Sequence, residues 1–204
     1  MTAHEHGAVW QPSAVDRARR WAAMGSQGMT VWFTGLSGAG KSTLAEATLA
    51  TLTAAGRPAY ILDADNLRHG LNRDLGFSPA DRSENARRVA EVALAVADAG
   101  LICLVPIISP YRDDRAAARL RHEDNGLPFA EVFVDASVAV CTARDPKGLY
   151  RRNASGTLAG LTGVDAPYEA PLAPDLHLLT DGASVDPLVI DIVHAIDALL
   201  AATQ

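Results

Sequence analysis

The stretch that decides the fold is Gly35-Leu-Ser-Gly-Ala-Gly40-Lys41-Ser42, which is followed by Thr43. It fits the pattern Gly-x-x-x-x-Gly-Lys-Ser/Thr of the phosphate-binding P-loop. Residues 30–34 precede it, and their β-branched and aromatic side chains predict a buried strand. From Lys41 onward a helical pattern runs until Gly56. A strand, a glycine-rich loop and a helix N-terminus together predict an anion site, because backbone N–H groups and the helix dipole both favour negative charge there.

Two side chains of this loop have specific roles in P-loop enzymes. Lys41 is predicted to contact the β- and γ-phosphates of a nucleotide, and the Ser42 hydroxyl is predicted to bind Mg²⁺. The predicted nucleotide-binding residues of the loop are Gly35, Ser37, Gly38, Ala39, Gly40, Lys41, Ser42 and Thr43.

Outside the loop, short apolar segments alternate with helical patterns. Further strands are predicted over residues 59–63, 101–108, 129–134 and 176–179. Helices are predicted over residues 15–24, 78–99, 112–122, 138–144 and 185–202. This alternation predicts an α/β fold with a doubly wound, mainly parallel sheet and helices on both faces. Ligands are then expected at the carboxyl ends of the strands.

The chain divides into a short and a long part. Residues 1–28 are predicted to be a peripheral N-terminal segment, and residues 29–204 a single P-loop domain. Within that domain, residues 145–174 are rich in Gly and Pro and show no clear periodicity, which predicts a lid loop. Basic side chains in the lid would close over phosphates and exclude water. They are Lys147, Arg151 and Arg152.

Composition excludes several classes of function. The net charge of −6 argues against general binding to nucleic acid or to an anionic membrane, both of which need a basic surface. No apolar run approaches the length of a membrane-spanning helix, and the polar first residues do not resemble a signal peptide. Cys103 and Cys141 lack metal-site spacing and are predicted to be buried, reduced thiols of a cytoplasmic protein.

Two acids follow the second predicted strand. One of Asp63 and Asp65 is expected to hold Mg²⁺ through water, while the other orients or deprotonates an acceptor hydroxyl. The alternative is that both carboxylates only cap the following turn. Asp135 also ends a strand but has no acid as close to it.

Five arginines lie close together in this acidic protein, at positions 68, 73, 82, 87 and 88. An anionic substrate needs such groups, since guanidinium binds phosphate or sulfate with two parallel hydrogen bonds. The alternative is that these arginines form surface salt bridges along a helix. This alternative is favoured for Arg73, Arg87 and Arg88, and anion binding is favoured for Arg68 and Arg82. The stretch Ser109-Pro-Tyr-Arg follows the apolar strand at 101–108 and belongs to the same ligand-binding edge.

Together these segments closely resemble the adenylylsulfate kinase (APS kinase) family from about Trp32 to Gly182. The P-loop alone indicates only a nucleotide, whereas the blocks after residue 62 are characteristic of the family. The matching stretches are GLSGAGKST (35–43), DADNLRHGLNRDLGFSPADR (63–82), ENARR (84–88), DAGLICLVPIISPYRDDR (98–115), FVDAS (133–137), ARDPKGLY (143–150) and LTGVDAPYEAP (161–171).

The resemblance implies transfer of the ATP γ-phosphoryl group to the 3′-hydroxyl of adenosine 5′-phosphosulfate (APS). It implies Mg²⁺ as cofactor, a contribution of Arg144 to the ATP site, a homodimer and a functional link to ATP sulfurylase. Phe77 would stack on the substrate adenine, and Arg68 and Arg82 would face the phosphosulfate. The implied substrate-binding residues are Asp65, Arg68, Phe77, Arg82, Asn85, Ile108, Ser109, Lys147, Gly160 and Leu161.

Ser109 has a second implied role, because the family's serine at this position has also been discussed as a phosphoenzyme intermediate. In-line transfer assisted by a P-loop, Mg²⁺ and arginines needs no such intermediate. The predicted catalytic residues are Lys41, Asp63 and Ser109, and Ser109 is assigned first to the substrate site.

Two positions depart from the family pattern. Ala64 stands where the family usually has glycine, and Leu161 stands where its lid usually has phenylalanine. Leu161 can cover an adenine ring but offers no π-face for stacking.

Three other functions fit parts of the sequence. Another small-molecule P-loop kinase, acting on a nucleoside monophosphate, a sugar acid or shikimate, would share the loop but not the blocks at 63–72 and 106–112. A GTP-dependent switch protein would need a guanine-reading Asn-Lys-x-Asp, which the chain lacks. A catalytically silent nucleotide-binding domain is disfavoured because Lys41, Ser42, Asp63 and Asp65 are all present.

Overall fold

Strands and helices alternate along the chain in the computed structural model, which describes residue 9 and residues 11–202. The strands are β1 (Met29–Thr34), β2 (Ala59–Ile61), β3 (Ile102–Pro106), β4 (Phe129–Asp135) and β5 (Leu176–Leu179). The helices are α1 (Arg17–Met24), α2 (Lys41–Ala54), α3 (Ala64–Leu67), α4 (Pro79–Asp98), α5 (Arg112–Glu123), α6 (Val138–Arg144), α7 (Leu149–Ala154) and α8 (Val185–Ala202).

The five strands form one sheet in the order β2-β3-β1-β4-β5, and every pairing is parallel. The predicted doubly wound α/β fold is thereby confirmed. All six residues of β1 are buried, as expected of a central strand. The chain leaves β1 toward β2 and β3 on one side and later reaches β4 and β5 on the other. The strand order therefore reverses beside β1, and a crevice at its carboxyl end is the expected ligand site.

Each face of the sheet is covered by helices. Val31 and Phe33 of β1 point to a core shared with Leu44 of α2 and Ile192 of α8. Trp32 points the opposite way, into a second core with the apolar side of α4. This alternation follows from the two-residue period of a strand, so one β1 sequence supplies both cores.

Helix α4 begins as its sequence predicts. The Ser78 hydroxyl accepts a hydrogen bond from the Asp81 N–H, and Pro79 occupies the first helical position. Helix α1 begins at Arg17 rather than at Val15, because the Asp16 carboxylate caps it by accepting the Arg19 N–H.

Two short helices were not expected from the sequence. Helix α3 forms because Asp63 Oδ1 accepts the N–H groups of Asp65 and Asn66. Helix α7 lies inside the segment 145–174, where no regular structure was predicted. It is held by the Asp145 carboxylate, which accepts the N–H groups of Tyr150 and Arg151. Helices this short show no apolar period, and the caps that stabilise them are seen only in three dimensions.

The N-terminal segment reaches the main domain through charged contacts. Arg17 and Arg20 of α1 both pair with Asp98 at the end of α4. The division between residues 28 and 29 stays a prediction, and residues 1–8 and 10 lie outside the described part of the chain. Among the described helices, none combines the length and the apolar character needed to cross a membrane.

Candidate active site

A cavity of about 800 Å³ opens at the carboxyl ends of the strands. The P-loop reaches it from β1, Asp63 from β2 and residues 106–110 from β3. Most of the predicted site residues come together here. They are Ser37, Gly38, Ala39, Gly40, Lys41, Ser42, Thr43, Asp63, Asp65, Arg68, Phe77, Arg82, Asn85, Ile108, Ser109, Arg144 and Lys147.

The glycines of the P-loop are required by its backbone. Gly35 has φ 148°, and a Cβ there would lie 2.2 Å from the Val134 carbonyl oxygen. Gly40 has φ 108° at the N-cap of α2, a conformation that side chains disfavour. Gly35 does not itself line the cavity. Its role is to let β1 turn into the loop against β4.

Lys41 is a buried cation of the site whose pKa is strongly lowered. Only 8% of the residue is exposed, and its Nζ donates to the carbonyl oxygens of Gly35 and Leu36 at 2.9 and 2.8 Å. Burial, followed by the nearby ammonium of Lys147, lowers the pKa of Lys41 to about 8. A bound polyphosphate would supply the missing negative charge, so this buried ammonium is prepared for an anion.

Arg144 packs against the loop and supports it from behind. One of its terminal nitrogens donates to the carbonyl oxygens of Gly38 and Ala39, both at 3.3 Å. The other donates to the Thr180 carbonyl oxygen at 2.5 Å. In this arrangement Arg144 holds the backbone of the P-loop, and it also lines the cavity.

Several cavity residues carry no recognisable motif. Thr180, Ala183, Val185 and Leu188 line the cavity beside Arg144, next to the P-loop. The usable signal is positional, since they follow the last predicted strand and ligands bind at the carboxyl ends of parallel strands.

The two acids after β2 differ in their contacts. Asp63 caps α3 through one carboxylate oxygen, Oδ1, and it also lines the cavity. Capping therefore does not exclude Asp63 from the site. Asp65 caps nothing and instead forms an ion pair with Lys147. Asp135 does not line this cavity and pairs with His177 at 2.9 Å. Of these three acids, only Asp63 and Asp65 line the cavity.

One side of the cavity is formed around an exposed aromatic ring. Phe77 is 68% exposed, and the guanidinium carbons of Arg68 and Arg82 lie 4.4 and 5.8 Å from its ring centroid. Burial, followed by the proximity of Arg82, lowers the pKa of Arg68 against the opposing effect of Asp65. An exposed ring beside two cations suits a ligand that is both aromatic and anionic.

The remaining arginines behave as surface groups. Arg87 and Arg88 both pair with Glu84, and Arg88 also pairs with Asp74. The salt-bridge interpretation therefore holds for these two. Arg73 does not line the cavity.

Asn85 reaches the cavity from α4 and is 4% exposed. Its Oδ1 accepts a hydrogen bond of 3.0 Å from Nδ2 of Asn72, which is fully buried. Asn72 thus fixes the orientation of a cavity amide from behind, a role that its place in the sequence does not indicate.

Ser109 lies in the cavity wall but its hydroxyl is already engaged. The Oγ accepts from Trp32 Nε1 and donates to Thr34 Oγ1, both at 3.0 Å. The Ser109 backbone has φ 38°, and buried Arg115 donates to its carbonyl oxygen at 2.7 Å. This strained conformation is held by three partners, which favours Ser109 as a shaping residue over a covalent carrier.

Two expected substrate residues do not reach the cavity. Leu161 is 5% exposed and packs in the apolar core on the α2 side of the sheet. The Gly160 carbonyl oxygen accepts from Arg82 at 2.8 Å, and Thr162 Oγ1 accepts from the same guanidinium. The lid residues thus contact a cavity-lining side chain, that of Arg82. An aliphatic Leu161 gains more from burial in the core than from exposure to solvent.

The donor set of the cavity fits Mg²⁺ as a companion of the nucleotide. The Ser42 hydroxyl and the Asp63 carboxylate line the same cavity and offer the oxygen ligands that this ion prefers. Among the described residues, no group of three or more His, Cys, Asp or Glu side chains is arranged to hold a metal. The ion would therefore depend on phosphate oxygens and water for its remaining ligands.

The comparisons with known proteins agree with this geometry. The profile of the family Adenylylsulphate kinase matches residues 27–179. The adenylyl-sulfate kinase of Aeromonas hydrophila is 50% identical over 188 residues, which are 92% of this chain and 94% of that protein. The bifunctional enzyme NodQ of Rhizobium tropici is 53% identical over 174 residues, or 85% of this chain and 27% of that enzyme.

A solved structure is similar over most of its fold. It is the APS kinase of Mycobacterium tuberculosis in complex with AMPPNP and APS, with 49% identity and a TM-score of 0.82. The match covers 84% of this chain and 99% of that one. With the P-loop, the acid pair and the arginine-flanked ring assembled in one cavity, the chain belongs to the adenylylsulfate kinase family.

Proposed function

We propose that this protein is an adenylylsulfate kinase, which transfers the γ-phosphoryl group of ATP to the 3′-hydroxyl of APS. The products are ADP and 3′-phosphoadenosine 5′-phosphosulfate. The observation that carries the proposal is the single cavity with two chemically different ends. Lys41 and the P-loop form the donor end, and Phe77 between Arg68 and Arg82 forms the acceptor end.

The residues divide the work of phosphoryl transfer between positioning and charge stabilisation. The P-loop amides and Lys41 bind the donor phosphates, and Lys41 stabilises the charge that develops on the transferred group. Phe77 stacks on the acceptor adenine while Arg68 and Arg82 bind its phosphosulfate. Asp63 and Asp65 orient or deprotonate the acceptor hydroxyl, an assignment supported by their position in the cavity wall.

Mg²⁺ would be held by the Ser42 hydroxyl, with the Asp63 carboxylate acting through water. When bound, it would neutralise charge on the β- and γ-phosphates. Ser109 keeps its shaping role, since its hydroxyl proton is directed to Thr34 rather than into the cavity.

The acceptor end separates this function from other small-molecule kinases. Shikimate and gluconate have no aromatic ring for Phe77, and AMP has the ring but lacks the sulfate. A silent nucleotide-binding domain would have no use for an arginine-flanked acceptor subsite facing the P-loop.

The direct test is ADP release with APS, AMP, shikimate and gluconate offered in turn as acceptors. APS should be the preferred acceptor, and release should require Mg²⁺ and fail in the Lys41→Ala variant with the circular dichroism of the fold unchanged. Comparable rates with another acceptor would assign a different kinase activity. Near-normal turnover of Lys41→Ala would refute the role of the P-loop lysine.

We extend the proposal to the setting of the enzyme. A cytoplasmic location is supported by Cys103 and Cys141, both buried and free of disulfides. A homodimer and a functional link to ATP sulfurylase are expected from the family resemblance. A bifunctional relative is consistent with a partner activity. Light scattering of the purified protein tests the dimer, and co-purification with the sulfurylase tests the link.

A further inference from the structure

The carbonyl groups of the P-loop are all held by donors. A P-loop binds phosphate through inward N–H groups, which requires its C=O groups to find partners elsewhere. Lys41 Nζ serves Gly35 and Leu36, and Arg144 serves Gly38. Thr180 Oγ1 donates to the Ala39 carbonyl oxygen at 2.8 Å.

The Gly40 carbonyl oxygen accepts the Leu44 N–H of α2. The Ser37 carbonyl is held from the lid. The Tyr150 hydroxyl donates to it at 2.9 Å, and within residues 11–202 no other donor reaches this oxygen. Tyr150 is 5% exposed, and burial, followed by the neighbouring Cys141 thiol, raises the pKa of its phenol. The phenol therefore remains protonated and able to donate throughout the working range of pH.

Tyr150 differs from the other carbonyl partners of the loop. Lys41 is expected to turn toward the phosphates when a nucleotide binds, and Arg144 also lines the nucleotide cavity. Tyr150 does not line the cavity, so a nucleotide leaves its hydrogen bond in place. Its helix α7 is fixed at the start by the Asp145 carboxylate, which accepts the Tyr150 N–H at 3.2 Å.

The same short segment also reaches the acceptor side. Lys147, three residues before Tyr150, pairs with Asp65 across the cavity. Residues 144–150 thus contact the donor loop at both of their ends and the acceptor site at their middle.

We propose that Tyr150 is a positioning residue for the nucleotide: its phenol holds the Ser37 carbonyl outward and so keeps the P-loop amides turned toward the phosphates. This role rests on the proposed kinase function. Its direct effect is on nucleotide affinity, which can be measured without an acceptor.

The test is Tyr150→Phe, which removes only the hydroxyl, with Tyr60→Phe as the matched control. Tyr60 lies on β2 and is 54% exposed, away from the cavity. Calorimetric titration should show that Tyr150→Phe weakens ADP binding by about three- to tenfold, within the net range for loss of one typical hydrogen bond. The control should bind ADP as the unmodified protein does.

Two further readouts separate positioning from general destabilisation. In steady-state assays the KM for ATP should rise in step with the ADP dissociation constant. The KM for APS should stay within about twofold of its value in the unmodified protein, because the substitution changes only the P-loop end of the site. Hydrogen exchange of the amides at 37–41 should accelerate in Tyr150→Phe and not in Tyr60→Phe.

The outcomes are decisive in both directions. Selective loss of nucleotide affinity with faster exchange in the loop supports the proposal. Unchanged ADP affinity overturns it, and so does an equal loss for ATP and APS together with a lowered melting temperature. If the unmodified protein binds ADP but transfers nothing to APS, the kinase function fails while the Tyr150 assignment is still decided by the titrations.

Discussion

Nucleotide affinity should depend on pH through Lys41. Burial and the neighbouring Lys147 lower the pKa of Lys41 from 10.5 to about 8 in the free protein. This shift corresponds to about 3 kcal/mol of preference for the neutral amine. A bound polyphosphate reverses that preference, so binding above about pH 8 must take up a proton.

The size of the effect follows from the two protonation states. If the bound pKa returns to its ordinary value, ADP affinity should fall by about eightfold between about pH 7.5 and about pH 9. The phosphates of ADP are already deprotonated over this window and add no dependence of their own. Calorimetry in buffers of different ionisation enthalpy measures both the affinity and the protons taken up.

The sign for stability is the opposite. The folded-state pKa of Lys41 lies below its unfolded value, so the unfolded chain binds more protons between about pH 8 and about pH 10.5. This group therefore adds stability as the pH rises through that window, while nucleotide affinity falls. Because general alkaline damage would lower both stability and nucleotide affinity, the opposite directions identify deprotonation of Lys41 as the cause.

Two variants test the physical cause. Lys41→Arg carries a charge that does not titrate here, so its ADP affinity should be nearly independent of pH. Lys147→Ala removes the neighbouring ammonium and should move the fall in affinity to higher pH. Affinity that is flat with pH in the unmodified protein, or equally steep in Lys41→Arg, would refute the reasoning.

Three more changes have defined outcomes. Asp63→Asn should reduce the transfer rate by at least about two orders of magnitude, since a metal-linked carboxylate or base is lost. Full activity with unchanged Mg²⁺ dependence would move that role to Asp65. Leu161→Phe should destabilise the protein by about 1–3 kcal/mol through overpacking, without tightening APS binding. Tighter APS binding by calorimetry would instead place residue 161 over the adenine. Residues 145–174 should exchange amide hydrogens faster without ligand than with ADP and APS together. Equal exchange in both states would remove the lid role.

Much of the donor site was predictable because it depends on contiguous residues. The octapeptide at 35–42, the buried strand before it and the helix after it specify one local geometry, and β1 and α2 appear where they were predicted. Phe77 and Arg82, which we propose for the acceptor site, were assigned there through family resemblance rather than through chemistry alone. Their spacing in the sequence does not reveal that both approach one ring.

The carbonyl partners of the P-loop could not be predicted from the sequence. Tyr150 and Thr180 lie more than a hundred residues beyond the oxygens they hold. Such contacts depend on the order of the strands and on the path of the lid, and neither leaves a local pattern. Leu161 shows the same limit, because a position expected over the adenine lies in the apolar core.

The sequence by itself therefore determined the fold class, the donor-phosphate loop and the family, because each is encoded in local periodicity or in contiguous motifs. Only the tertiary structure decided which groups face the cavity and which are engaged elsewhere. In the folded chain the Ser109 hydroxyl is hydrogen-bonded to Trp32 and Thr34, and Asp65 forms an ion pair with Lys147. The physical reason is that hydrogen bonds and burial act through space, so residues distant in the chain compete for the same partners.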